Sequence, residues 1–99
     1  MDSFGDRVKQ LREEQQLPLR TVAAFLDIDQ AILSKIEHGH RKANREQVKQ
    51  LAKYFKADED ELIVAWLSDK LAHELQDENL SMQALKAAEK KVDYLKKKK

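Results

Sequence analysis

The chain has 99 residues, 37% of them charged, with a formal net charge of +1, no cysteine, and only two glycines and one proline. That length suits one compact domain with an appendage, and the lack of cysteine excludes disulfides and thiolate chemistry and argues against a structural zinc site. No apolar run is long enough to cross a bilayer, and Met1–Leu11 lacks the apolar core of a signal peptide, so a cytoplasmic location is expected.

The good helix formers predict an all-α chain. A first helix starts at Ser3, which has Asp6 at capping-box spacing, and places Phe4, Val8 and Leu11 on one face. It fades near Gln15-Gln16. A second helix opens around Pro18, whose fixed φ suits a first turn, and buries Val22, Ala23 and Leu26. Asp27 closes it in a left-handed conformation. A third helix follows Asp29, read as its cap, and reaches about His38, with Leu33 and Ile36 turned inward and Gly39 as the C′ residue. Asn44 and Gln47 repeat the capping-box spacing at a fourth helix with the stripe Val48, Leu51, Ala52 and Phe55. Asp58 and Glu61 do so at a fifth, which carries Leu62, Ile63, Trp66 and Leu67 and continues through Leu71 and Leu75. After a break at Asp77–Asn79, a last helix from about Leu80 towards Lys97 shows Leu85, Ala88, Val92 and Leu95 at spacings of three, four and three. That is a narrow seam of coiled-coil type, which must pack on the preceding helix or on a second copy. The Lys96–Lys99 run is expected to be frayed and mobile. There are no internal repeats.

Charge is unevenly distributed. Residues 1–56 hold 11 basic and 8 acidic side chains, residues 57–85 hold 1 and 8, and residues 86–99 hold 7 and 2. Different surfaces are therefore expected to meet different partners.

The tight helix pair over Leu17–Gly39, with Arg41-Lys42 directly behind, suits a second helix lying in the major groove of DNA and a loop resting on a phosphate strand. Val8–Leu62 resembles the lambda-repressor-like (Cro, XRE) helix-turn-helix domain. The resemblance rests on Val8-Lys9-Gln10-Leu11-Arg12-Glu13-Glu14, Val22-Ala23, Leu33-Ser34-Lys35-Ile36-Glu37-His38-Gly39, Leu51-Ala52-Lys53-Tyr54-Phe55 and Asp58-Glu59-Asp60-Glu61-Leu62. Pro18-Leu19 stands where the family usually has Ser-Gln, Asp27 where it has Gly, and His38 where it has Asn. The resemblance implies a five-helix domain over residues 1–66 that binds as a dimer; the surplus apolar surface of the helical extension over residues 67–99 makes it the expected dimerisation segment, the alternative being that it only extends the core. The resemblance also implies an ion pair between Arg12 and Glu37 that fixes the angle of the third helix.

On that reading Gln30 leads base recognition, because its amide both donates and accepts as adenine requires. Ala31 and Ile32 contact a thymine methyl, with Ile32 alternatively core. Ser34 and Lys35 follow along the groove, Lys35 reaching guanine or phosphate. Arg41, Lys42 and the helix start at Asn44 grip the strand, with His38 and His40 as neutral donors. Arg20 and Thr21 meet the neighbouring strand. The acidic 57–85 stretch should face away.

Trp66, Leu67, Leu71, Leu75, Leu85, Val92 and Leu95 are the candidate dimerisation residues. The expected function is a sequence-specific regulator of transcription, a dimeric repressor or controller protein on an inverted repeat of double-stranded DNA. The competing reading is a protein-interaction or antitoxin-like module with weak DNA affinity. No nucleophile–base pair or phosphate-binding glycine loop is visible, which points away from an enzyme. No cofactor or metal is expected; Glu37, His38 and His40 are a poor metal set, split between a helix end and a loop.

Overall fold

The computed structural model describes residues 2–98, so readings that involve Met1 and Lys99 fall outside it. Among these residues the chain is all-helical, with α1 Phe4–Glu14, α2 Leu19–Leu26, α3 Gln30–Glu37, α4 Arg45–Phe55, α5 Glu59–Leu75 and α6 Ser81–Lys98. No helix is long and apolar enough to cross a membrane.

The helices begin where the sequence caps them. Ser3 and Asp6 form a reciprocal box at α1, and Asn44 and Gln47 form one at α4. At α5 the Asp58 carboxylate accepts from the Glu61 N–H. Asp29 departs from expectation. It occupies the N-cap of α3 in extended conformation, but its side chain makes no capping bond. Its backbone carbonyl closes the first turn instead, accepting from Ile32 and Leu33.

The ends of α1 to α4 share one device. Gln16, Asp27, Gly39 and Lys56 all have positive φ, between 56° and 78°. In each case the next residue's N–H bonds back to a carbonyl of the last turn: Leu17 to Arg12, Ile28 to Ala23, His40 to Lys35 and Ala57 to Ala52. This satisfies carbonyls that would otherwise lack a partner. Only one of the four residues is glycine.

The inward stripes of α1 to α5 make one core, with Val8, Val22, Leu33, Val48, Leu51 and Leu62 at its centre. α2 packs on α3 as the tight pair, α4 on α5, and α1 on α3, α4 and α5. Ile32 is half-buried against this core, so packing accounts for part of its surface. Trp66 also belongs here. It is 8% exposed, so the monomer already uses it and it is removed from the dimerisation set.

Helix α6 differs from the rest, because none of its residues is buried. Leu71 at 52% exposure and Leu95 at 59% show that the apolar seam stays open. The radius of gyration is accordingly 15.6 Å, against roughly 13 Å for a compact domain of 100 residues. The lysine run, expected to fray, is helical through Lys98.

A non-glycine residue in the left-handed region costs about 1–2 kcal/mol, partly offset in glycine by chain entropy. Lys56→Gly should therefore raise stability by about 0.5–1 kcal/mol in urea unfolding. An unchanged or lowered midpoint would show that Lys56 is unstrained.

Candidate nucleic-acid interface

Helix α3 is held to the domain by its last turn and by one ion pair. Glu37 is 4% exposed and accepts from Arg12 twice, from Nε at 2.8 Å and from Nη2 at 3.1 Å. Arg12 Nη1 also donates to the Leu17 carbonyl at 3.0 Å. One guanidinium thus ties α1, the entry to α2 and the end of α3. The hydrogen bond to Glu37 raises the Arg12 pKa above its ordinary value, against the lowering effect of partial burial. Arg12 therefore stays charged at any neutral or moderately basic pH. Gly5 completes the crossing: a Cβ there would overlap the backbone carbonyls of Ile36 and Glu37. The first turn of α1 lies directly on the end of α3 because glycine has no side chain.

The outer face of α3 presents Gln30, Ala31 and Lys35 to solvent, with Ser34 half-buried between them. On α2, Arg20 is exposed and Thr21 half-buried. His40, Arg41 and Lys42 are exposed in the loop that follows α3, while Ala43 is buried and anchors it. The Trp66 indole Nε1 donates to the Ala43 carbonyl at 2.8 Å. α5 therefore fixes the basic loop from behind. Across the same region the Asp69 carboxylate accepts from the Phe4 N–H at 2.8 Å and caps α1. Not all of the acidic 57–85 stretch turns away, since Asp69 sits beside the loop.

Two expected contacts are altered. His38 Nδ1 lies 2.7 Å from the Ser34 carbonyl. A carbonyl only accepts, so Nδ1 carries the proton and the neutral ring has only an acceptor left at Nε2. His38 is therefore not a neutral donor. At Asn44, the N–H donates to Gln47 Oε1 and the side-chain oxygen accepts from the Gln47 N–H. That amide is not free for phosphate; only the side-chain NH₂ and the amides of the next residues remain. Glu37 belongs to Arg12 and so cannot join His38 and His40 around a metal. Among the described residues no group of three or more possible ligands gathers.

Charge on this surface is not internally neutralised. Among the described residues the salt bridges are Arg7–Glu61 and Arg12–Glu37. Arg20, Lys35, Arg41 and Lys42 have no carboxylate in range. Arg45, absent from the expected set, joins them at the start of α4. It follows the Asn44 cap, and that position was the available clue in the sequence.

Arg12→Ala should cost on the order of 3 kcal/mol in urea unfolding, because it strands a buried carboxylate. Arg12→Met combined with Glu37→Leu should recover most of that loss. A double variant as weak as the single would assign the effect to packing.

The sequence profile of the helix-turn-helix domain family matches residues 5–65. Searches of curated proteins and of solved structures give no match. The matched span runs from the first turn of α1 into α5 and contains the α2–α3 pair, its exposed outer face and the loop behind it. The chain belongs to the helix-turn-helix family, with a DNA-binding domain of the Cro/XRE type.

Proposed function

We propose that the chain is a sequence-specific regulator of transcription that binds double-stranded DNA as a homodimer and represses by occupying an inverted-repeat operator. The observation that carries this reading is the exposed face of α3 beside a rigidly held loop of unpaired cations. Groove-reading side chains and strand-gripping charges then work from one fixed frame.

Gln30 pairs with adenine through its amide, and Ala31 contacts a thymine methyl. Ser34 and Lys35 lie further along the groove. Arg41 and Lys42 hold the phosphate strand, with the Asn44 side chain and His40 beside them and Arg20 and Thr21 on the neighbouring strand. Gln30→Ala should cost about 1–3 kcal/mol on the preferred sequence and relax selection at one position. Arg41→Ala with Lys42→Ala should weaken all sequences alike and reduce the slope of log K against log salt by about two per half-site, about four for the dimer. Selection from a random oligonucleotide pool at two ionic strengths reads both effects. Retention of native selection and slope in both variants would overturn this placement of α3.

Residues 1–66 read the operator and residues 67–99 pair the copies, the division falling within α5. The open stripe of Leu67, Leu71, Leu85, Val92 and Leu95, with Leu75 half-buried beside it, supports the pairing, since a monomer leaves this stripe in water. A two-fold dimer places half-sites about 34 Å apart. Leu85→Asp with Val92→Asp should halve the mass found in sedimentation equilibrium. An unchanged mass would remove this seam from the interface.

A further inference from the structure

Behind the basic loop lies a cleft of about 430 Å³, bounded by the first turn of α1, the loop and α5. That volume falls in the range of small-molecule sites. Phe4, Ile36, Ala43 and Trp66 give it an apolar floor, and Arg41, Lys42 and Lys70 line its rim. Lys70 Nζ stands 3.5 Å from the centre of the Trp66 ring, and the Arg45 guanidinium carbon 5.3 Å from it. None of these four cations forms a salt bridge among the described residues. The one carboxylate lining the cleft, Asp69, is engaged by the Phe4 N–H.

Cation–π contact stabilises an ammonium over an indole, but it leaves the full positive charge in place. Asp69 likewise keeps its charge in its bond to a neutral N–H, so three lining cations face one carboxylate and the cleft combines an apolar hollow with a net positive mouth. A neutral ligand would use only the floor, and an inorganic anion only the rim. A molecule that uses both has a flat apolar body and one acidic group.

We infer that this cleft binds a small organic anion, a carboxylate or phosphate ester on a flat apolar group, and that its occupation loosens the loop's hold on DNA. The second half follows because Arg41 and Lys42 line the cleft and are also the strand-gripping cations; an acid group seated there competes with phosphate for the same charges. The coupling is reciprocal, so DNA also weakens the anion. This second half rests on the function proposed above; the first does not.

The chain holds a single tryptophan, so one indole N–H resonance reports on the cleft without DNA. The probes are benzoate and phenyl phosphate, with benzyl alcohol as the uncharged control, at ionic strength held constant with sodium chloride. The expected result is a saturable shift of the Trp66 resonance with at least one anion and none with the alcohol. Lys70→Ala should weaken that binding about tenfold, the loss of one hydrogen bond to a charged group, and Lys70→Arg should restore it. A shift that never saturates, equal saturation by the alcohol, or a Lys70→Ala titration matching the native one overturns the site. In a second arm, a saturating anion should weaken the DNA complex severalfold. An unchanged complex overturns the coupling alone. Saturable anion binding by a chain that binds no DNA would count against the proposed function and leave the site standing.

Discussion

The ion pair between Arg12 and Glu37 is the constraint on which the presentation of α3 depends. Only eight residues form that helix, too few to hold a direction without tertiary support. Leu33 and Ile36 bury one side of it, but apolar contacts alone tolerate rotation about the axis. A two-pronged bond to a planar guanidinium tolerates little, because both prongs must stay in one plane. The third donor of Arg12, bound to the Leu17 carbonyl, ties the same reference point to the start of α2. The two helices of the motif are therefore oriented against α1 as well as against each other. A buried pair of this kind contributes less to net stability than to the choice of one geometry, and the groove reading proposed for α3 requires that choice.

The loop behind α3 is fixed by a separate means. Ala43 enters the core, its carbonyl meets the Trp66 indole, and Gly39 turns the chain through positive φ so that His40 can close the last turn of α3. Arg41 and Lys42 project from between these two fixed points. Their charges stay unneutralised, while a carboxylate close by, that of Asp69, is drawn off to the start of α1. Rigid backbone and free charge thus coexist within a few residues. Under the proposed function this favours phosphate contact, since neither ordering of the loop nor breaking of an internal ion pair opposes it.

Much of this was legible in the sequence where the determinant is local. Ser3 with Asp6 and Asn44 with Gln47 specify their boxes by spacing alone, and the apolar stripes of α1 to α4 follow the helical period without interruption. Asp27 and Gly39 were identifiable as left-handed residues because their types tolerate that region. Gln16 and Lys56 were not, because nothing in a glutamine or lysine side chain favours it; the turn is imposed by the Leu17 and Ala57 contacts on either side. Long-range pairings stayed hidden for the same reason. Trp66 read as surplus apolar surface because its partner, the Ala43 carbonyl, lies 23 residues away. The role of Gly5 left no trace in its local sequence because it consists in admitting the backbone of α3. The Asp29 side chain fits a cap by type, yet the backbone closes that turn without it. Arg12 with Glu37 was accessible only through family resemblance, since spacing of 25 residues implies nothing by itself.

The unburied final helix has a consequence of a different kind. Most helical stability in proteins comes from tertiary packing of an apolar face, and α6 buries none of its residues, so a surface that covers its seam would add most of its support. If a second copy does so, completion of the fold becomes a matter of abundance. Scarce protein would then exist as single copies with an uncovered tail, and joined pairs would accumulate only above a threshold level. Occupancy of a paired site then climbs more steeply than the amount of protein, which gives a switch-like dose response without any additional domain.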